Sequence, residues 1–271
     1  MDITLGFIGT GAMGSAMIKS VCRSGILSDG RIKIYDSDSN KTSALSRETG
    51  AGVCASAAET VSKSDIIVLA VKPNVLESVL KSIKDTLDDK KIIVSFAVGI
   101  PISFYKNIVG KDRKVVRTMP NTPMQVNEGM TLISYDSSTG ESEIEVIKKL
   151  FECTGRVEIL DEKLMSEVTA LTGSSPAYVY MFIEAMADAG VQSGIPRALA
   201  YRLAAQAVLG SAKMVLETGR HPAELKDQVC SPAGTTIQAV SALEKNGFRY
   251  AVIDAMGECT KKAREIGKIY G

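Results

Sequence analysis

The residues best suited to chemistry in this chain lie together in the loop 229–236, Val-Cys-Ser-Pro-Ala-Gly-Thr-Thr. Apolar residues with helical spacing follow this loop, at Ile237, Val240, Ala242 and Leu243. The spacing predicts that the loop ends at a helix N-terminus, where free N–H groups and the positive end of the helix dipole attract an anion. A small carboxylate would fit there. By itself, the loop is equally consistent with a capping motif in which a threonine merely ends a turn.

A glycine-rich segment near the N-terminus, Gly9-Thr10-Gly11-Ala12-Met13-Gly14, follows an apolar strand and opens a helix. Gly9 permits a tight turn, Gly11 lets the backbone approach a diphosphate, and Gly14 lets the helix pack against the strand. This order of strand, glycines and helix predicts a dinucleotide site that all six residues contribute to.

An acidic residue, Asp36, stands just past the second predicted strand. A carboxylate at that place accepts hydrogen bonds from the adenosine ribose and repels a 2′-phosphate. We therefore expect Asp36 and Ser37 to contact the cofactor, and we expect NADH to be preferred over NADPH. The alternative interpretation is that Asp36 caps the helix that begins near residues 37–39.

Two further segments follow predicted strands and therefore fall at the carboxyl edge of the sheet, where open α/β folds bind ligands. The first is Ala70-Val71-Lys72-Pro73, and the second is Met119-Pro120-Asn121-Thr122-Pro123, whose prolines make the loop rigid. We expect the first segment and Asn121 to contact the cofactor. Each segment is also compatible with a plain turn between a strand and a helix.

The second half of the chain lacks a customary catalytic base. An alcohol dehydrogenase needs one, but the only histidine, His221, precedes Pro222 at a predicted helix start and is expected to cap it. β-Hydroxyacid dehydrogenases share the GxGxMG start and carry a lysine after a glycine-rich turn, and the comparable stretch 172–180 has neither Lys nor His. Reduction of an imine asks less, because the C=N nitrogen takes its proton from solvent and the protein aligns donor and acceptor. Candidate hydroxyls near that nitrogen are those of Ser231, Thr235 and Thr236.

These segments require an alternating framework of strands and helices, which the first 160 residues provide. The predicted strands are 3–8, 31–35, 66–69, 92–95, 114–117, 131–134 and 156–159; the predicted helices are 12–23, 39–48, 141–152, 164–171, 175–190, 197–218, 222–229, 236–245 and 249–266. The pattern predicts a parallel sheet with helices on both faces. We predict an α/β Rossmann-type dinucleotide-binding domain over 1–160 and an all-α domain over 161–271. The second is so rich in alanine that we expect a partner subunit to complete its core.

Composition limits the class of protein. The formal net charge is +1, which does not indicate a nucleic-acid or membrane surface. The five cysteines are scattered without metal-ligand spacing, which suits reduced thiols in the cytoplasm. A single histidine builds no multi-histidine metal site, and no metal is expected. Met1 and Asp2 lead directly into a strand, so we expect no signal peptide, and no run of residues reads as a membrane span.

Several motifs together resemble one known family over essentially the full length. They are residues 6–13, 70–73, 119–123, Leu171-Thr172-Gly173-Ser174-Ser175-Pro176-Ala177-Tyr178 and the most specific one, residues 225–237, with Leu243-Glu244 beyond it. The chain resembles pyrroline-5-carboxylate reductase. The resemblance implies that hydride passes from NAD(P)H to the cyclic imine of 1-pyrroline-5-carboxylate and yields L-proline, in the last step of proline biosynthesis.

The same resemblance implies particular roles. Gly234, Thr235 and Thr236 would hold the substrate carboxylate through backbone N–H groups, with the Thr236 hydroxyl near the ring nitrogen as the catalytic group. Glu162, Gln228 and Ser231 would also contact the substrate, although Gln228 stands where some relatives have Asn. The helical domains would form a dimer, with dimers assembling into a decamer.

Two other functions are compatible with the residues. One is reduction of another small imino or keto acid on the same fold. The other is a nucleotide-binding regulator without activity, against which the intact 229–236 loop argues.

Overall fold

The computed structural model describes residues 1–28 and 30–270, which form two compact units. The first, here called the sheet unit, comprises Met1–Gly173 together with the C-terminal segment from Cys259. The second, the helical unit, comprises Ser174–Glu258. The sequence places a domain boundary between residues 160 and 161, whereas the units divide between 173 and 174 and the end of the chain returns to the sheet unit.

The sheet unit is built on one eight-stranded sheet within its described residues. Its strands are β1 (Leu5–Ile8), β2 (Ile32–Tyr35), β3 (Gly52–Val53), β4 (Ile66–Leu69), β5 (Ile92–Ser95), β6 (Lys114–Met119), β7 (Gly129–Tyr135) and β8 (Gly155–Ile159). Their order is β3-β2-β1-β4-β5-β6-β7-β8. Strands β1–β6 pair in parallel, which confirms the predicted α/β fold.

Two strands, β7 and β8, run against the other six. β7 is antiparallel to β6, with Met119 opposite Leu132, and β8 is parallel to β7. The reason is the connection, because residues 120–128 hold only a short 3₁₀ turn, Thr122–Val126, and a parallel return needs a longer crossover. The sequence predicted these strands but not the reversal, and it did not predict the two-residue strand β3.

Helices cover both faces of the sheet. They are α1 (Ala12–Ser24), α2 (Ser39–Thr49), α3 (Ala57–Ser62), α4 (Pro73–Ile83), α5 (Ile102–Val109), α6 (Glu141–Glu152) and the short α7 (Met165–Val168). Alternate residues of a strand point to opposite faces. Accordingly Leu5 and Phe7 of β1 pack in one apolar cluster and Ile8 in the other. The burial of these clusters is the main stabilising contribution to the unit.

The helical unit contains four complete helices and the beginning of a fifth. They are α8 (Ser175–Gln192), α9 (Arg197–Thr218), α10 (Pro222–Val229), α11 (Thr235–Lys245) and α12 (Phe248–Tyr270), which ends in the sheet unit. In α8 and α9 the buried residues are Ala187, Ala200 and Ala204. A Cβ added at Gly190 would lie 3.4 Å from the Cβ of Ala200, so small residues let these two helices approach closely, as the sequence predicts.

Much of the apolar surface of the helical unit is uncovered. Met181, Leu203, Leu209 and Ile253 are each more than half exposed, at 69%, 52%, 54% and 68%. Several large apolar side chains are thus left in contact with solvent in one unit, which is compatible with a protein interface there. None of the described helices combines the length and apolar character needed to cross a bilayer.

Candidate functional site

The glycine-rich turn joins β1 to α1 at the point where the strand order reverses between β1 and β4. Gly9 has a φ of +98°, and a Cβ there would lie 2.6 Å from the carbonyl oxygen of Ala70. A Cβ at Gly14 would lie 2.5 Å from the carbonyl oxygen of Gly9. Both positions therefore need glycine, the first for its backbone conformation and the second for the packing of helix on strand.

The middle glycine, Gly11, is needed for a different reason than Gly9 and Gly14. A Cβ at Gly11 would meet no atom within 4 Å, so the backbone there faces open space. No side chain caps the N-terminus of α1, and its first turn carries no acidic residue. Uncapped N–H groups beside an open space are what a diphosphate requires. Ala12 is exposed beside this space, whereas Met13 is half-buried against the apolar cluster.

Asp36 is bound to the glycine-rich turn. Its Oδ2 accepts hydrogen bonds from the backbone N–H of Thr10 at 2.7 Å and from the Thr10 hydroxyl at 3.1 Å. Its Oδ1 accepts one from the backbone N–H of Asp38 at 3.0 Å. Burial raises the pKa of the Asp36 carboxyl, but these hydrogen bonds and the charge of Lys41 outweigh burial and hold the pKa below its usual range. The helix that begins at Ser39 is capped by Asp38 instead, whose side chain accepts from the N–H of Asn40.

The carboxylate of Asp36 keeps room for a ligand. A carboxylate has about four lone-pair sites, and Thr10 and Asp38 occupy three of those of Asp36. The remaining site is on Oδ1. Asp36 and Ser37 line a cavity of ≈ 310 Å³ together with Gly9, Ala57 and Val71. Four of the predicted cofactor residues, Gly9, Asp36, Ser37 and Val71, thus line one cavity at the point where the strand order reverses.

The segment after β4, residues 70–73, packs against the glycine-rich turn and carries one exposed lysine. Ala70 lies against Gly9 and Gly14, and Pro73 opens α4. Lys72 is the N-cap residue of α4 and is exposed. Among residues 1–28 and 30–270 it makes no ion pair, so its ammonium group is available to an anionic ligand.

Asn121 uses its side chain within the protein. Its Oδ1 accepts a hydrogen bond from the backbone N–H of Met130 at 2.8 Å, and its Nδ2 donates one to the carbonyl oxygen of Thr172 at 3.0 Å. Thr172 lies in a π-helical turn, Thr169–Gly173, where the sequence predicted the end of an ordinary helix. The amide therefore fixes this turn against β7, and it keeps one Nδ2 hydrogen and one Oδ1 lone pair for a further partner.

Glu162 is likewise bound to the framework. Its Oε1 accepts hydrogen bonds from the backbone N–H of Ile102 at 2.7 Å and from Nη1 of Arg117 at 3.2 Å. Arg117 is a buried residue of β6 that sequence analysis did not select. The signal was present, because a charged residue inside an apolar strand requires a charged partner.

The loop 229–236 joins α10 to α11 as predicted. The backbone N–H of Gly234 donates to the carbonyl oxygen of Ser231 at 3.0 Å, and Ala233 adopts a φ of +59°. A Cβ at Gly234 would lie 2.3 Å from Oγ of Ser231. Gly234 is also the N-cap residue of α11, which has no side-chain cap. The tight turn thus leaves the first N–H groups of α11 without a capping side chain.

The side chains of this loop surround that helix end. Ser231, Thr235 and Gln228 are exposed, and Thr236 is half-buried. Within the described residues, no hydrogen bond involves the hydroxyl of Thr235 or of Thr236. His221 caps α10 as predicted, since its Nδ1 accepts from the N–H of Ala223 at 3.2 Å. No group of three His, Cys, Asp or Glu residues in the described chain is placed to hold a metal ion.

Comparison with known proteins covers both halves of the chain. Residues 4–99 match the family described as "NADP oxidoreductase coenzyme F420-dependent", and residues 162–266 match "Pyrroline-5-carboxylate reductase dimerisation". The chain is 46% identical to the pyrroline-5-carboxylate reductase of Escherichia coli (strain K12), over 99% of this chain and 100% of that protein. It is 40% identical to the enzyme of Methanosarcina acetivorans, over 97% and 98%.

A solved structure agrees with these relatives. The crystal structure of Plasmodium falciparum pyrroline carboxylate reductase with NADP bound superposes with a TM-score of 0.88. Its sequence is 34% identical, and the match covers 98% of each chain.

Proposed function

The chain belongs to the pyrroline-5-carboxylate reductase family, and we propose that its glycine-rich edge holds the cofactor while its 229–236 loop holds the substrate carboxylate. The protein is an oxidoreductase that reduces 1-pyrroline-5-carboxylate to L-proline with a nicotinamide cofactor, in the last step of proline biosynthesis.

The glycine-rich turn fits a dinucleotide. Gly11 faces open space, the N-terminus of α1 is uncapped, and a cavity of ≈ 310 Å³ runs from Gly9 to Asp36. We assign the diphosphate to residues 9–14 and Lys72, and the adenosine ribose to Asp36 and Ser37. Ala70, Val71 and Pro73 shape the floor on which the cofactor lies. The nicotinamide supplies a hydride when it is bound there.

NADH is the cofactor that this edge favours. Asp36 is ionised, because the low pKa of its carboxyl keeps the charge at neutral pH, and its free lone pair accepts one ribose hydroxyl. A 2′-phosphate carries a charge of about −1.5 to −2 at neutral pH, which the Asp36 carboxylate repels. The charge of Lys41 helps to hold the pKa of Asp36 low, and Lys41 also contacts Asp38 at 3.7 Å, so this cation is already shared between two carboxylates.

The single observation that carries the substrate assignment is the uncapped N-terminus of α11. The N-cap is Gly234, which has no side chain to satisfy the first N–H groups. Ala233 holds a left-handed φ of +59°, a conformation that costs a non-glycine residue free energy and is retained where the local geometry is used. We propose that the N–H groups of Thr235 and Thr236 bind the carboxylate, with Ser231 beside them. The N–H of Gly234, which the resemblance also places at the carboxylate, donates to the carbonyl oxygen of Ser231 at 3.0 Å, so Gly234 contributes through the turn it forms.

The Thr236 hydroxyl is the group we assign to the reacting nitrogen. Protonation of the imine nitrogen makes the ring carbon an acceptor for hydride, and reduction leaves a secondary amine. The Thr236 hydroxyl has no hydrogen-bond partner among the residues that the structure describes, so it is able to accept the N–H of the iminium and hold the proton in place. No acid with a matched pKa is then required, since water supplies the proton.

The structure restricts how two of the predicted substrate contacts, Glu162 and Gln228, could reach the substrate. Glu162 has Oε1 engaged by Ile102 and Arg117, so any contact with substrate must use Oε2. Gln228 is exposed on the last turn of α10, one residue before the loop. Asn121 would reach the cofactor through its backbone or through the second N–H of its amide.

The chain self-associates through residues that match the dimerisation family. We propose a dimer as the basic assembly and a decamer of such dimers, supported by the uncovered apolar residues of α8, α9 and α12. Binding to nucleic acid or to a membrane is not expected from a net charge of +1. The cytoplasmic location inferred from the scattered cysteines stays a prediction, as does a domain boundary at residue 160.

The test is turnover of the purified protein. We expect it to oxidise NADH, and NADPH more weakly, in the presence of 1-pyrroline-5-carboxylate, and to form L-proline. A panel of other small imino and keto acids and of 3-hydroxy acids, assayed under the same conditions, measures specificity. If proline is formed with neither NADH nor NADPH, the proposed function is refuted. A higher kcat/KM with another acid reassigns the substrate.

A further inference from the structure

The loop after β5 lies at the end of the sheet that binds the second half of a dinucleotide. In doubly wound folds, the strands on each side of the reversal point bind one mononucleotide each, at their carboxyl ends. Here β4, β5 and β6 form the half opposite to Asp36. β5 ends at Ser95, and residues 96–101 lead to α5. Within this loop, Val98 is 44% exposed at the apex of a turn, between the buried residues Ala97 and Gly99.

Gly99 is packed against the C-terminal helix. Its φ is +80°, and a Cβ at this position would lie 2.8 Å from Cγ2 of Ile266 in α12. From the other side, a Cβ at Gly267 would lie 3.9 Å from the carbonyl oxygen of Gly99 and 3.6 Å from Oγ of Ser166. The loop and the helix are therefore in direct contact at two glycines.

Two contacts hold the helix at this place. Arg264 makes a bidentate ion pair with Glu167 of α7, in which Nε donates to Oε1 at 2.9 Å and Nη2 donates to Oε2 at 2.6 Å. The ring of Tyr270 packs edge-on against Phe104 of α5, with centroids 5.5 Å apart. Since Phe104 follows the loop and Gly99 lies within it, the end of α12 is attached on both sides of the turn.

We propose that the last two turns of α12 are a positioning element for hydride transfer, and that Gly99 is a positioning residue that transmits their hold to the turn carrying Val98. This inference rests on the proposed function, because the turn matters only if a nicotinamide lies at the carboxyl end of β5. Displacement of reacting groups by about an ångström is enough to lower the rate of a reaction strongly.

The decisive comparison is Gly99→Ala against Gly50→Ala. Both glycines have a left-handed φ, +80° and +74°, but a Cβ at Gly50 meets no atom within 4 Å. The two substitutions thus place alanine at nearly the same positive φ, and only Gly99→Ala pushes on α12. We expect kcat of Gly99→Ala to fall roughly tenfold with an altered primary isotope effect for C4-deuterated NADH. Gly50→Ala should leave both quantities within about twofold of the wild type.

A second substitution removes the clash. Ile266→Leu deletes the Cγ2 methyl and keeps the side-chain volume. In the Gly99→Ala/Ile266→Leu double variant we expect most of the lost kcat to return. If kcat does not recover, the defect comes from strain within the loop and not from the helix, and the inference is wrong.

The ion pair gives an independent variant in case Gly99→Ala does not fold. Arg264→Gln removes the contact with Glu167, whereas Lys262→Gln removes a similar exposed pair, Lys262–Glu265 at 3.1 Å, on the same helix. We expect Arg264→Gln to lower kcat about threefold and Lys262→Gln to leave it unchanged. Equal kcat values in these two variants overturn the inference.

Failure of the inference and failure of the proposed function give different results. If the wild type does not reduce 1-pyrroline-5-carboxylate, the function is wrong and the variants say nothing about catalysis. If the wild type is active and Gly99→Ala matches Gly50→Ala in kcat and isotope effect, the positioning role alone is refuted.

Discussion

Replacing Asp36 by asparagine tests how one carboxylate serves both the fold and the choice of cofactor. The carboxylate accepts hydrogen bonds from the N–H and hydroxyl of Thr10 and from the N–H of Asp38. An asparagine of the same shape has one oxygen, so one of these N–H groups must face an NH₂ group. The substitution therefore removes the negative charge and breaks at least one charge-assisted hydrogen bond.

Two magnitudes follow from this geometry. A lost hydrogen bond to a charged group costs about 1.5–3 kcal/mol of free energy of unfolding. For the cofactor, a unit charge about 5 Å from a phosphate of charge −1.5 to −2 is repelled by roughly 1.2–1.7 kcal/mol in water. Relief of that repulsion is worth about tenfold in affinity. We therefore expect the ratio of KM for NADPH to KM for NADH to fall about tenfold in Asp36→Asn.

The assay is steady-state turnover of 1-pyrroline-5-carboxylate with each cofactor at varied concentration. Asp38→Asn is the matched control. Asp38 lies two residues after Asp36, its side chain caps α2, and it does not line the ≈ 310 Å³ cavity, so the substitution removes one negative charge nearby without changing the cofactor site. An unchanged KM ratio in Asp36→Asn, or an equal change in both variants, refutes the argument that the Asp36 carboxylate selects the cofactor.

The stability difference should also depend on pH. The pKa of Asp36 is lower in the folded protein than in the unfolded chain, so its ionised form stabilises the fold above the unfolded pKa of about 3.9. That contribution is lost as the pH falls through the folded pKa. Urea unfolding should then show a gap between wild type and Asp36→Asn at neutral pH that narrows on acidification. A gap that is constant with pH contradicts the low pKa.

Three other predictions concern the loop and the framework. Thr236→Ala should lower kcat/KM about tenfold to a hundredfold, as expected for a lost hydrogen bond to charge of ~1.5–3 kcal/mol, while Thr236→Ser keeps most of the activity; an unchanged kcat/KM for Thr236→Ala excludes the hydroxyl from the mechanism. Gly234→Ala places a methyl group 2.3 Å from Oγ of Ser231, so KM for the substrate should rise at least tenfold with KM for NADH unchanged, and an unaltered substrate KM contradicts the carboxylate assignment. Burial raises the pKa of Glu143, but Lys114 at 2.7 Å and the N–H of Gly140 hold it below its usual range, so Glu143→Gln should destabilise by about 1 kcal/mol at neutral pH. This loss should shrink as the pH falls through the folded pKa of Glu143 and vanish below it, and its persistence in acid denaturation experiments would contradict the pairing.

Much of the framework could be predicted because its signals are local. The strands at 66–69 and 92–95 and the helices at 141–152, 197–218 and 222–229 have the predicted bounds, since apolar spacing, prolines and glycines act within a few residues. The glycine-rich turn is of the same kind, because each glycine answers a local backbone need. The reversal of β7 depends on how a connection packs, so it was not predicted.

Side-chain partners were harder to predict than elements. Asn121 and Glu162 were expected at a ligand, yet their polar atoms bind Met130, Thr172, Ile102 and Arg117. The polar atoms of a residue at the carboxyl edge of a sheet can form hydrogen bonds equally well with a ligand or with the protein backbone. Only the positions of distant backbone groups decide between the two.

The sequence by itself determined the α/β framework, the glycine-rich turn at residues 9–14, and the helix N-terminus at Gly234, because backbone conformation and capping follow from neighbouring residues. Tertiary structure alone decided that Asp36 binds the backbone of Thr10, that Arg117 is neutralised by Glu162, and that α12 ends against Gly99. Each of these joins residues far apart in the chain. Hydrogen bonds and van der Waals contacts reach only a few ångströms, so a partner remote in sequence is defined only once the chain has folded.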